Sequence, residues 1–186
     1  MNSILEVATL VAAALESCGI RYLIGGSLAS AYAGEPRSTL DIDFVVDITI
    51  ARVPGLAAAL GADFYFDAQT FAAAIRSGTS VNAIHEPSGI KVDFFIAHSK
   101  LDRQQMDRRI LRQIGGASAL YFYTAEDILL QKLIWFRLGG ETSDRQWRDI
   151  LGIVVVQGPA LDRAYLKEQA SALDLDALLA KALDPR

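Results

Sequence analysis

The chain has 186 residues, 52 % of them hydrophobic, a formal net charge of −4 and an isoelectric point near 5.2. That is about one domain, or one domain with a small appendage, with apolar material for a substantial core. The acidic balance argues against a protein whose whole surface grips nucleic acid, the single cysteine excludes an intrachain disulfide, and no apolar run reaches the ~18 residues of a membrane span. The N-terminal Met1–Glu6 lacks a basic region and carries an early acid, so no signal peptide is expected and a cytoplasmic location is the default.

In chain order, Ile4, Val7, Ala8, Val11 and Leu15 recur at helical spacing, predicting a helix over Ile4 to Ser17, with Gly19 as C-cap and Cys18 as core packing. A short strand over Arg21 to Ile24 runs into Gly25-Gly26, and Ser27 opens an Ala-rich helix to Ala33, broken by Gly34-Glu35-Pro36. A strand through Asp41 and Asp43 follows, to about Asp47. Next come a helix over Arg52 to Leu60 with Pro54 in its first turn, a short strand at Phe64 to Phe66, and a helix capped by Asp67 and ended by Gly78. Ser80 to His85 and Ile90 to Ala97 read as two strands joined by the turn Glu86-Pro87-Ser88-Gly89. Leu101 to Ile110 is charged and reads as a helix, Gly115-Gly116 as a turn, and Ala119 to Tyr123 as a strand. The remainder is helical: Thr124 caps a helix to Arg137, Ser143 caps another through Val156, and two short helices cover about Asp162–Ala170 and Asp174–Ala182. A boundary at 118/119 therefore separates an α/β part from a helical C-terminal region.

Chemistry concentrates in two stretches. Gly25-Gly26-Ser27 forms a strand–glycine–helix turn, where backbone N–H groups and the helix dipole favour an anion; alone, such a turn is a weak signal. Thirteen residues on, Asp41-Ile42-Asp43 interrupts a strand rich in β-branched and aromatic residues. Side chains alternate along a strand, so Asp41 and Asp43 share one face while Ile42, Phe44 and Val46 point to the core. Paired carboxylates repel unless a proton or cation lies between them, and a hard ion such as Mg²⁺ suits all-oxygen donors. Asp93 is a third acid inside an apolar strand. Each aspartate alone could be a strand-end acid facing solvent; three on two apolar strands after Gly-Gly-Ser favour a phosphate–metal site.

At these residues the chain resembles the polymerase-β-like nucleotidyltransferase superfamily, whose pattern is a Gly-Gly/Ser turn, an Asp-x-Asp/Glu strand and a third acid on a later strand. Arg37-Ser38-Thr39-Leu40-Asp41-Ile42-Asp43 is particularly close to the bacterial AbiEii-like branch, which includes toxins of toxin–antitoxin systems. The resemblance covers roughly residues 20 to 150. It implies an α/β (α+β) nucleotidyltransferase core with a short mixed sheet and a helical C-terminal region. It also implies transfer of a nucleoside monophosphate from an NTP to a hydroxyl acceptor (RNA, tRNA in particular, a protein or a small molecule), with pyrophosphate leaving. Asp41, Asp43 and Asp93 would be catalytic and hold two Mg²⁺ ions, with Mn²⁺ as the substitute. Gly25, Gly26 and Ser27 would cradle phosphates, and a cognate antitoxin becomes a conceivable partner.

Other residues carry weaker signals. Arg37 could reach phosphate or be a solvated loop residue. Lys132 lies in an almost wholly apolar run, Ile128 to Phe136, and must snorkel or find an anion; by resemblance it matches a helical lysine that contacts the triphosphate. Asp149 could support the site, by the same resemblance, or pair with Arg145 four residues earlier. His85 and His98 have no metal-ligand spacing and read as surface or cap residues. Trp135, Phe136 and Trp147 read as interhelix core. Arg103, Arg108, Arg109 and Arg112 form the one basic cluster, diluted by Asp102 and Asp107. Two rival readings stand beside the transferase: a nucleotide- or protein-binding chain of the same fold, and a phosphohydrolase using the same acids.

Overall fold

A computed structural model of the chain describes residues 3–35, 39–114 and 118–184. Its elements follow the chain as α1 (Ile4–Ser17), β1 (Arg21–Ile24), α2 (Gly26–Ala33), β2 (Asp41–Asp47), α3 (Val53–Leu60), β3 (Phe64–Tyr65), α4 (Ala68–Ser77), β4 (Ser80–His85), β5 (Ile90–Ile96), α5 (Lys100–Arg108), β6 (Ile110–Gln113), β7 (Ala119–Phe122), α6 (Ala125–Leu138), α7 (Asp144–Gln157), α8 (Arg163–Ala172) and α9 (Asp176–Leu183). Helix starts are set by local chemistry. Ser3 and Glu6 close a capping box on α1, Asp67 accepts from the Thr70 N–H at 2.5 Å, and Thr124, Ser143 and Asp162 cap α6, α7 and α8.

Packing divides the chain into two units: 1–27 with 39–122, and 28–38 with 123–186. The sequence boundary at 118/119 falls just before β7, which stays with the first unit because it pairs with β6 and β1. The chain passes from one unit to the other within α2.

The first unit holds a mixed sheet of seven strands among the described residues, in the order β3-β4-β5-β2-β1-β7-β6. β2 is central: antiparallel to β1 and parallel to β5. Its alternation sends Ile42, Phe44 and Val46 to a face where all three are fully buried. Phe94 of β5 lies on the same face, stacked on Phe44 at 5.9 Å and met edge-on by Phe71 of α4 at 5.2 Å. His85 belongs to this buried face, contrary to its reading as a surface residue. It is 1 % exposed, with Nδ1 2.7 Å from Ser88 Oγ and its ring 4.9 Å from Phe64, because the last residue of β4 keeps the strand's alternation. Cys18 caps the C-terminus of α1 and is half-buried rather than packed inside the helix. The basic stretch spans the expected helix, α5, and the strand β6 that follows it. Arg103 donates to the His98 carbonyl, and Arg109 donates to the Met106 carbonyl and stacks over Tyr121 at 4.6 Å.

The second unit packs α6, α7, α8 and α9 with the later part of α2. Asp127, fully buried, accepts from the Tyr165 hydroxyl at 2.6 Å and from the Thr124 hydroxyl at 2.9 Å. Phe136 packs on Trp147 at 5.1 Å, as expected of an interhelix core, and Lys181 covers the Trp147 ring at 4.7 Å. Trp135 departs from that expectation: it is 51 % exposed, since one helical step turns it away from the face that buries Phe136. Among the described residues no helix is long and apolar enough to cross a membrane.

Because Phe44 sits at the crossing of the aromatic contacts under the sheet, Phe44→Ala should destabilise the protein by about 3–5 kcal/mol. Leu40→Ala, at a side chain 82 % exposed, should stay within about 0.5 kcal/mol. Urea midpoints of the two variants check this.

Candidate active site

Three aspartates share the sheet face opposite the aromatic core. The parallel register places Asp41 directly across from Lys91 and Asp43 directly across from Asp93. Residues paired this way share a face, so β2 and β5 present two carboxylates over a lysine and a carboxylate. Like charges directly opposite are destabilising, and Lys91 answers that repulsion. Its Nζ lies 2.7 Å from Asp93 Oδ2 and 4.0 Å from Asp41 Oδ1. The Asp93 hydrogen bond holds the Lys91 ammonium above the ordinary lysine range, against partial desolvation, with the charges of Asp93, Asp41 and Asp43 adding to it.

The glycine turn borders these acids. The Gly25 N–H donates to the Asp43 carbonyl at 2.9 Å, extending the β1–β2 ladder by one residue. That N–H therefore belongs to the sheet, and of the expected phosphate cradle only Gly26 and Ser27 lie in the first turn of α2. Helix α2 begins at Gly26, one residue before the expected start. Gly26 has φ +54°, and a Cβ there would lie 1.7 Å from Asp43 Oδ2. The Asp43 carboxylate thus packs against the Gly26 backbone where any other residue would carry a side chain, which joins the Gly-Gly-Ser and Asp-x-Asp motifs into one structure.

Among the described residues, no three His, Cys, Asp or Glu side chains stand in a metal-holding group. The donors nevertheless suit a hard divalent ion. They are all carboxylate oxygens, Asp93 is only 19 % exposed, and a cation, the Lys91 ammonium, already stands among them. Asp41 and Asp43 could hold such an ion, with Asp93 completing its shell.

The second unit gathers the other expected residues. Lys132 Nζ lies 2.8 Å from Asp149 Oδ2, with side-chain exposures of 8 % and 9 %. Ser30 of α2, 3 % exposed, donates to the same oxygen at 3.5 Å. The anion that Lys132 needed is therefore Asp149. Two further contacts tie α2 to α7: the Gln157 amide donates to the Ala33 carbonyl, and Gly34 passes so close to Gly152 and Ile153 that a Cβ would lie 2.8 Å from the Ile153 nitrogen. Arg37 lies outside the described residues, as do Gly115 and Gly116. Sequence reading missed Lys91 and Ser30. Lys91 carried a usable signal, since it lies two residues before Asp93 on the same strand face; Ser30 carried none within its Ala-rich helix.

Nine solved chains match this fold. An antigenic nucleotidyltransferase-like protein from Paracoccidioides brasiliensis aligns over 95 % of this chain and 90 % of its own, with 21 % identity and a TM-score of 0.55. The antibiotic-resistance factor ANT(2'')-Ia aligns over 90 % and 92 %, with 12 % identity and a TM-score of 0.51. The chain has a nucleotidyltransferase-like fold. No family model and no curated protein matches its sequence. The likeness thus extends over nearly the whole chain, helical unit included, and concerns the fold.

Two variants probe the site's construction. Gly26→Ala should both strain the positive φ and displace Asp43, lowering stability by about 1–3 kcal/mol, read as a shift in urea midpoint. Lys132→Met leaves the Asp149 carboxylate buried without its cation and should cost about 3–5 kcal/mol, with Lys132→Met/Asp149→Leu recovering a large part; a double-mutant cycle by chemical denaturation measures both.

Proposed function

We propose that this chain is a metal-dependent nucleotidyltransferase of the polymerase-β-like kind, moving a nucleoside monophosphate from an NTP to a hydroxyl acceptor. The observation that carries the reading is the joining of Gly26 to Asp43, beside Asp93 across the parallel register, within a nucleotidyltransferase-like fold. A binding module has no need of three carboxylates on one face, where each adds repulsion.

The residues divide the work. The first turn of α2, at Gly26 and Ser27, receives the terminal phosphates. Asp41 and Asp43 are the metal-binding carboxylates. Asp93 takes the proton of the acceptor hydroxyl as its oxygen bonds to the α-phosphorus and the bond from that phosphorus to the bridging oxygen of the β-phosphate breaks, releasing pyrophosphate. Mg²⁺ or Mn²⁺, when bound, supplies charge stabilisation of the attacking and leaving oxygens. Asp149 is a supporting residue, paired with Lys132 of α6 and accepting from the Ser30 hydroxyl of α2. Lys132 is the proposed triphosphate cation, a role that requires its ammonium to leave Asp149. Arg37 is a second candidate for phosphate.

RNA, tRNA in particular, a protein hydroxyl and a small molecule remain the proposed acceptor classes. Membership of the AbiEii-like branch, with a cognate antitoxin, is proposed on the Arg37–Asp43 stretch alone, since fold does not fix biological role.

Thermal unfolding with each of the four NTPs, with and without Mg²⁺, tests the reading on wild type and on Asp41→Ala/Asp43→Ala. An NTP at about 100 times its Kd should add about 2.7 kcal/mol to wild type only, and only with metal. No stabilisation by any NTP overturns the enzyme. Free phosphate rather than pyrophosphate as product would make it a phosphohydrolase.

A further inference from the structure

We propose that Lys91 is a tethered cation that holds the metal position of the acidic site, so that a divalent ion binds only by moving the Lys91 ammonium off Asp93. This rests on the metal-dependent reading above and concerns a residue outside the motifs that suggested it.

Three observations carry it. The first is register: β2 and β5 pair so that Asp43 faces Asp93 and Asp41 faces Lys91, making the lysine the fourth corner of a square whose other corners are carboxylates. The second is distance: the ammonium is 2.7 Å from Asp93 Oδ2 and 4.0 Å from Asp41 Oδ1. A divalent ion bound to these oxygens needs the lone pairs that the ammonium now engages, and two cations on one carboxylate repel. The third is accessibility. Lys91 is 42 % exposed along its side chain, whereas Asp93 is 19 % exposed. The lysine can swing its head into water on a flexible stem, and the aspartate cannot follow. A cation is thus present whenever the metal is not, and leaves without unfolding the strand.

The consequence is a site whose metal affinity is set by competition. Without metal, Lys91 relieves the Asp43–Asp93 repulsion and the strand pair stays in register. With metal, the lysine's contribution to stability disappears, because the ion has taken over its task. A lysine that merely decorated the surface would contribute equally in both states.

The experiment uses the full chain stripped of metal by EDTA, in wild-type, Lys91→Met and Lys91→Arg forms, without nucleotide. Mn²⁺ binding is titrated by the electron paramagnetic resonance signal of the free ion, and thermal unfolding is followed in EDTA and in saturating Mn²⁺. Lys91→Met should bind Mn²⁺ about three- to tenfold more tightly than wild type. It should melt below wild type in EDTA and level with it in Mn²⁺. Lys91→Arg, which keeps the cation, should restore wild-type affinity to within about twofold. Mn²⁺ bound equally well by wild type and Lys91→Met overturns the inference and leaves the metal reading standing. Weaker binding by Lys91→Met also overturns it, making Lys91 a support for the metal. Binding by none of the three chains removes the metal reading and the tethered cation together.

Discussion

Charge repulsion between β2 and β5 is the constraint around which the first unit is built. Two parallel strands at the centre of the sheet place Asp43 opposite Asp93, and their other faces carry Ile42, Phe44, Val92 and Phe94, all fully buried. Slipping one strand by a residue would relieve the repulsion but turn its pair, Ile42 and Phe44 or Val92 and Phe94, away from the core. Hydrophobic burial, at roughly 1.5–3 kcal/mol for each such side chain, far outweighs a partly solvated like-charge pair. The carboxylates are therefore held together by the core behind them, and a nearby cation lowers their energy. Lys91 supplies one from the same strand face.

The elements were largely legible because their determinants are local. Capping residues, Gly and Pro marked the helix ends, and period-two burial marked β2, β4 and β5. Asp41, Asp43 and Asp93 were legible as a group for the same reason: polar residues at strand spacing inside apolar runs stand out. What escaped was whatever depends on which strands become neighbours. β6 and its pairing with β7 went unseen because Ile110–Gln113 is only four residues long, half of them polar, and adjacent to a charged helix. Strand alternation alone links Lys91 to Asp93, but its place opposite Asp41 depends on the parallel register. His85 and Trp135 were misjudged for a related reason. Hairpin proximity suggested exposure for one and aromatic character suggested burial for the other, but side-chain direction along the element decided both.

Lys132 shows how a sequence signal can be right about a need and silent about the partner. A lysine in an apolar helix requires an anion, and the structure provides Asp149 at 2.8 Å with both groups below 10 % exposure. A buried pair of this kind is weak evidence for stability, since desolvation offsets most of the attraction. Its value is directional. With Ser30 on the same carboxylate, and with Gly34 pressed against Gly152 and Ile153, it sets the rotation and depth of α2 against α7.

Fold likeness at 21 % and 12 % identity places the backbone and leaves the chemistry open, because the same scaffold tolerates lost or altered sites. The stronger physical argument for retained chemistry lies in what the chain tolerates. Gly26 accepts a positive φ with the Asp43 carboxylate against its backbone, and Asp43 accepts a like charge across the register. Neither feature stabilises a sheet, and each is removable by a single ordinary substitution: Asp43 by an uncharged residue, Gly26 by one whose side chain would push Asp43 away. An uncharged residue at position 43 would remove the like-charge pair, whereas a side chain at position 26 would strain the positive φ and displace Asp43. The glycine at positive φ and the like-charge pair thus adjoin one helix N-terminus, and that juxtaposition is what the proposed phosphate–metal site rests on.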